Sequence, residues 1–138
     1  DLRVIHPKRK NLLGTLVSAR LAGATNQYVL HDEQQRKSTQ IELTPEECTK
    51  HFESTRSWER QYDEMFRLHP LKEMFYEDLA ENTKSETDEA LDFLEVEQRD
   101  LETKTIRQRT MPLLETITNY SYLKGHFGGS EWEQFFSE

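Results

Sequence analysis

One cysteine, Cys48, stands in a chain of 138 residues, which excludes an internal disulfide. A lone thiol on the apolar side of a helix reads as a small core residue and fits a reducing compartment. The five histidines, His6, His31, His51, His69 and His126, never come at the close His/Cys spacing of a zinc site. No apolar run approaches the roughly 18 residues of a membrane span, and no signal peptide is visible. The stretch Gly125 to Gly129 contains His-Phe-Gly-Gly, which lacks the spacing and the lysine of a phosphate loop. There is no exact internal repeat, and no heptad lasts the several cycles a coiled coil needs. The first residue is Asp1 rather than Met, which reads as an excised domain or a processed product.

What is present is polar and aromatic together. Hydrophobic residues make up 34% and charged residues 32%, yet seven Phe, five Tyr and two Trp argue against a disordered chain. A chain of this size buries roughly two thirds of its unfolded surface, enough for one core, so residues 1–138 read as a single domain. Charge divides it. Residues 1–40 hold seven Lys/Arg against three Asp/Glu, and the remainder holds 11 against 23. A basic extended part, 1–43, therefore precedes an acidic helical part, 44–138. Lys8, Arg9 and Lys10 can contact an acidic partner, and nucleic acid could be met only through them; an acidic body disfavours a long phosphate backbone and favours folding of these cations onto its own carboxylates.

The clearest element runs from Thr44 to Leu68. Thr44-Pro45-Glu46-Glu47 has the form of a capping box with proline at the first helical position. Cys48, Phe52, Thr55, Trp58, Tyr62, Met65 and Phe66 then recur at spacings of three and four, predicting one inward face. Before it, Leu12–Arg20, Tyr28–Leu30 and Ser38–Leu43 read as three short strands, because Gly14 and the β-branched Thr15 and Val17 weaken a helical alternative for the first. After it, helices are predicted from Pro70 to about Asn82 and from Ser85 or Thr87 past Leu101; Met111-Pro112 then either kinks that helix or starts a fourth capped by Thr110, running to about Leu123, and a short helix holds Trp132 to Phe136. The fold class is thus α+β and mainly helical: a short N-terminal antiparallel β-meander followed by four to five amphipathic helices. The expected core is Phe52, Tyr62, Phe66, Phe75, Leu94, Leu101 and Leu114.

Gly14-Thr15-Leu16-Val17, then Tyr28-Val29-Leu30-His31-Asp32, then Gln40-Ile41-Glu42-Leu43 resemble the opening strands of small SH3-like barrels, including the Tudor group. The resemblance implies a reader module with an aromatic cage; Tyr28 is the only aromatic before Phe52, so a ring from the helical part would have to join it.

No catalytic, metal or cofactor-binding residues are assigned, and no cofactor. Adjacent carboxylates such as Glu46/Glu47 and Asp63/Glu64 point to different sides of a helix and read as solvated surface. Cys48 and His51 are close enough on one helix to meet as thiol and base, but lack an orienting third group. Trp132, Phe135 and Phe136, with Tyr120, Tyr122 and Phe127, are aromatic-rich and follow a glycine-rich loop; they read as a surface for another protein chain, including a second copy, or as rings that close the domain. The expectation is a non-catalytic protein–protein interaction domain, a scaffold or adaptor of a larger multi-subunit assembly, intracellular in the cytoplasm or nucleus, with no membrane contact. The alternatives are the SH3/Tudor-like module with a helical extension, or an enzyme whose site is dispersed in sequence over Cys48, His51, His31 and Tyr28.

Overall fold

The computed structural model describes residues 2–28, 39–102 and 111–137. These pack as two compact units. One holds residues 2–10 and 55–102, the other residues 11–28, 39–54 and 111–137.

The first unit contains the only sheet among the described residues, a parallel pair of strands. Strand β1, Val4–Lys8, lies beside β2, Leu71–Phe75, in the register Val4 to Leu71 and Lys8 to Phe75. Pro7 sits within β1, as an edge strand permits. Helices α3, Tyr76–Glu81, and α4, Thr83–Leu94, follow; α4 ends at Glu95 in the left-handed region, φ 57°. The long helix α2, Pro45–Met65, contributes its C-terminal half here and its N-terminal half to the second unit.

The second unit holds the larger apolar core. Helix α1, Leu12–Thr25, begins where Asn11 Oδ1 accepts from the amides of Leu13 and Gly14, and it ends at Asn26 with φ 54°. Leu12, Leu13, Gly14, Leu16, Val17, Leu21 and Ala22 are all buried, so this helix is enclosed on most sides and has no polar stripe to betray its period. Around it gather Cys48 and Phe52 of α2, the short helix α5, Leu113–Thr116, helix α6, Tyr120–Phe127, and a terminal 3₁₀ helix, Glu133–Phe136. Ile41 bridges Ile117, with its amide 2.9 Å from the Thr116 carbonyl.

The fold class is corrected on two counts. Among the described residues there is no antiparallel meander: Leu12–Arg20 is helix, residues 39–43 yield one isolated bridge at Ile41, and Ser38 and most of Tyr28–Leu30 lie outside the described residues. The two strands among the described residues are parallel and lie far apart in sequence. The SH3/Tudor-like reading falls with the meander, since Gly14 to Val17 is helical and Tyr28 is exposed. Of the expected core, Phe52 is buried and Phe66 and Phe75 are half-buried, whereas Tyr62, Leu94, Leu101 and Leu114 face solvent.

Candidate functional site

Two clusters of chemistry-bearing side chains form, one in each unit. In the second unit the capping box seats the start of α2: the Glu47 amide donates to Thr44 Oγ1 at 3.2 Å and the Thr44 amide to Glu47 Oε2 at 3.0 Å. The helix so fixed carries Cys48 and His51 one turn in. Cys48 is fully buried, and burial, with the nearby Glu47 carboxylate, pushes its thiol up to about 12, so it is neither a nucleophile nor the partner of His51. His51 turns instead to α1, where its Nε2 lies 2.6 Å from Thr15 Oγ1. The Thr15 hydroxyl also lies 2.7 Å from the Leu12 carbonyl, to which it donates. Burial lowers the basicity of His51 and outweighs a hydrogen bond to the Leu12 backbone that acts the other way. The ring is thereby biased to its neutral form, the one that can take up a proton.

In the first unit, β1 brings His6 and Lys8 to the C-terminal half of α2. His6 Nδ1 is 2.8 Å from Asp63 Oδ1, Lys8 Nζ is 2.7 Å from Asp63 Oδ2, and Lys8 also pairs with Glu73. The bond from Lys8 holds the Asp63 carboxyl below its ordinary range, against the opposing effect of burial. Burial works against the Lys8 charge, but Asp63 and Glu73 together raise it above its usual value. Arg9 bonds Glu77 at 3.0 Å and stacks on Tyr76 at 4.2 Å, and Lys10 pairs with Asp78. The cations of the basic run thus meet carboxylates of their own unit.

The aromatic surface expected near the C-terminus divides. Phe135 and Phe136 are 1% exposed, Tyr120 and Phe127 are buried, Trp132 packs half-buried against this core, and Tyr122 stands in solvent. Of the residues suggested for a dispersed enzyme site, Cys48 and His51 are placed as above, Tyr28 is exposed, and His31 lies outside the described residues. Local sequence does not signal Thr15 or Asp63: Thr15 sits in a segment of strand-like composition, and Asp63 has the pattern of one member of a solvated acidic pair. Among the described residues no group of three or more His, Cys, Asp or Glu is placed to hold a metal ion, and no helix is long and apolar enough to cross a membrane.

The family model described as Sulfotransferase domain matches residues 10–138, from just after β1 to the last residue. The chain belongs to the sulfotransferase domain family. No curated protein and no solved structure gives a significant match. The family match overturns the reading of a non-catalytic scaffold or interaction domain and the interaction-module description that went with it, and it favours the alternative, an enzyme whose site is dispersed in sequence. The Thr15–His51 cluster lies within the matched residues, whereas His6 and Lys8 precede them.

Proposed function

We propose that this chain acts in sulfuryl transfer, carrying an –SO₃ group from an activated sulfate to a hydroxyl or amine acceptor. The observation that carries this reading is the sulfotransferase domain match over nearly the whole chain. In such a step the acceptor oxygen or nitrogen bonds to sulfur, the bond from sulfur to the leaving oxygen breaks, and the leaving group departs with the electron pair. The acceptor's proton must go to a base. His51 is the residue we assign to that role: it lies within the matched span, it is half-buried, and its surroundings favour the neutral imidazole.

The test incubates the purified protein with ³⁵S-labelled donors of two classes, a nucleotide phosphosulfate and 4-nitrophenyl sulfate, and a panel of hydroxyl and amine acceptors. Label should move to at least one acceptor, and His51→Gln should lower the rate on the order of 10²- to 10⁴-fold, the usual contribution of a positioned base, with the melting temperature held. Absence of transfer from either donor class to any acceptor in the panel would overturn the reading. A His51→Gln variant of full activity would remove His51 from it.

A further inference from the structure

The arrangement around His51 contains a detail that bears on how its two nitrogens differ. Thr15 Oγ1 is 2.7 Å from the Leu12 carbonyl oxygen, a group that can only accept, so the single hydroxyl proton of Thr15 is committed to Leu12. The same oxygen is 2.6 Å from His51 Nε2. With its proton already used, Thr15 can meet that nitrogen only as an acceptor, and His51 Nε2 must carry a hydrogen. The hydrogen bond between His51 and the Leu12 backbone likewise needs a ring N–H, since a carbonyl cannot donate. In a neutral ring one nitrogen bears the hydrogen and the other the lone pair.

We propose that Thr15 is a positioning residue: by giving its proton to Leu12 and accepting from His51 Nε2, it holds the imidazole in the Nε2–H tautomer and leaves Nδ1 as the nitrogen that receives the acceptor's proton. This rests on the sulfuryl-transfer reading for the role of Nδ1, but not for the tautomer. Both anchoring groups lie on α1, Leu12 at the first position of the helix and Thr15 one turn on, so the capped start of α1 sets the ring's orientation. Phe52 packs edge-on against the ring, with its centroid 6.2 Å from that of His51. Thr15 needs no contact with substrate to matter, because a ring held the other way round would present a hydrogen where a lone pair is required.

The experiment reads the tautomer directly, from ¹⁵N shifts and two-bond couplings of the His51 ring in uniformly labelled protein at neutral pH. The expected spectrum shows a protonated Nε2 and an unprotonated Nδ1. Thr15→Ser, which keeps the hydroxyl, should preserve it, whereas Thr15→Val, which keeps the branched shape and loses the oxygen, should raise the Nδ1–H fraction. With a working transfer assay, Thr15→Val should lower kcat by at least about tenfold with KM held, and Thr15→Ser should recover most of it. A wild-type ring protonated at Nδ1 overturns the proposal, and so does a Thr15→Val spectrum identical to wild type. If the tautomer is as stated and no transfer is found with any donor, the functional reading fails and the structural role of Thr15 stands, so the two failures are separable.

Discussion

Phe52 touches more of its unit's aromatic core than any local pattern suggests. Its ring lies 4.9 Å from Phe135, 5.4 Å from Trp132, 5.9 Å from Phe127 and 6.4 Å from Phe136, mostly edge-on or tilted, as ring quadrupoles prefer. Phe52→Ala should therefore cost about 3–5 kcal/mol, read as a large fall in the chemical-denaturation midpoint with an unchanged slope. A shift near zero would mean these rings do not pack as placed. One turn before it, Cys48 makes a prediction of opposite pH sense from a carboxylate. Its thiol is raised from an ordinary 9.0 to about 12, so the unfolded chain loses its proton first. The stabilising contribution is whole below pH 9 and is lost as pH rises from 9 towards 12, by on the order of a few kcal/mol across that window. Cys48→Ala should flatten the alkaline fall in stability. A fall of the same steepness in the variant would assign it to other groups.

At the scale of elements, α2 shows both what local sequence conveys and where it stops. Its start was legible, because a capping box is complete within four residues. Its periodicity was legible too, but not what the stripe faces: Cys48 and Phe52 enter a core, while Trp58, Tyr62 and Met65, further along the same stripe, are exposed. Met65→Lys should consequently change stability by no more than about 0.5 kcal/mol; a loss near that of a core truncation would restore the inward assignment. Strand β2 has a helix-like sequence, because Leu71, Met74 and Phe75 fit a helical spacing. Its pairing partner begins at Val4, and no local signal announces a parallel strand 67 residues away in sequence. Helix α1 has a strand-like sequence for the reverse reason: burial around most of its circumference erases the amphipathic signal and leaves Gly14, Thr15 and Val17 to decide. The two clusters share this fate, since each joins residues far apart in sequence, Thr15 to His51 and His6 to Asp63. For the second, Asp63→Asn should remove part of the acid limb of stability. The lowered carboxyl stabilises the fold above its ordinary value of 3.8 and ceases to do so as pH falls through its lower native value. Because Asp63 is more than a third exposed, the effect should be no more than about 1 kcal/mol, measured as the difference between acid unfolding midpoints. An unchanged acid limb would show that the pairing carries no net stability.

Over the whole molecule, the two units are held by different physics. Among the described residues, all of the buried apolar side chains except Met74 belong to the second unit. The first unit instead joins its segments through ion pairs: Arg3 with Glu95, Lys8 with Asp63 and Glu73, Arg9 with Glu77, Lys10 with Asp78, and Lys72 with Glu89. Arg3 and Arg9 also lie over Phe93 and Tyr76. Each exposed pair is worth little alone, at most about 1 kcal/mol, but they act in parallel on a two-stranded sheet with few buried apolar contacts to support it. Salt discriminates the two cases, since the screening length shortens from about 10 Å at 0.1 M to about 3 Å at 1 M, while apolar burial is not weakened by screening. Native-state amide exchange on the intact chain should respond unequally. Protection of Val4–Lys8 and Leu71–Phe75 should fall on going to 1 M sodium chloride, and that of Leu12–Thr25 should hold or rise. Equal losses in both sets would mean that the first unit's carboxylates and cations, however close they lie, are not what holds its strands together.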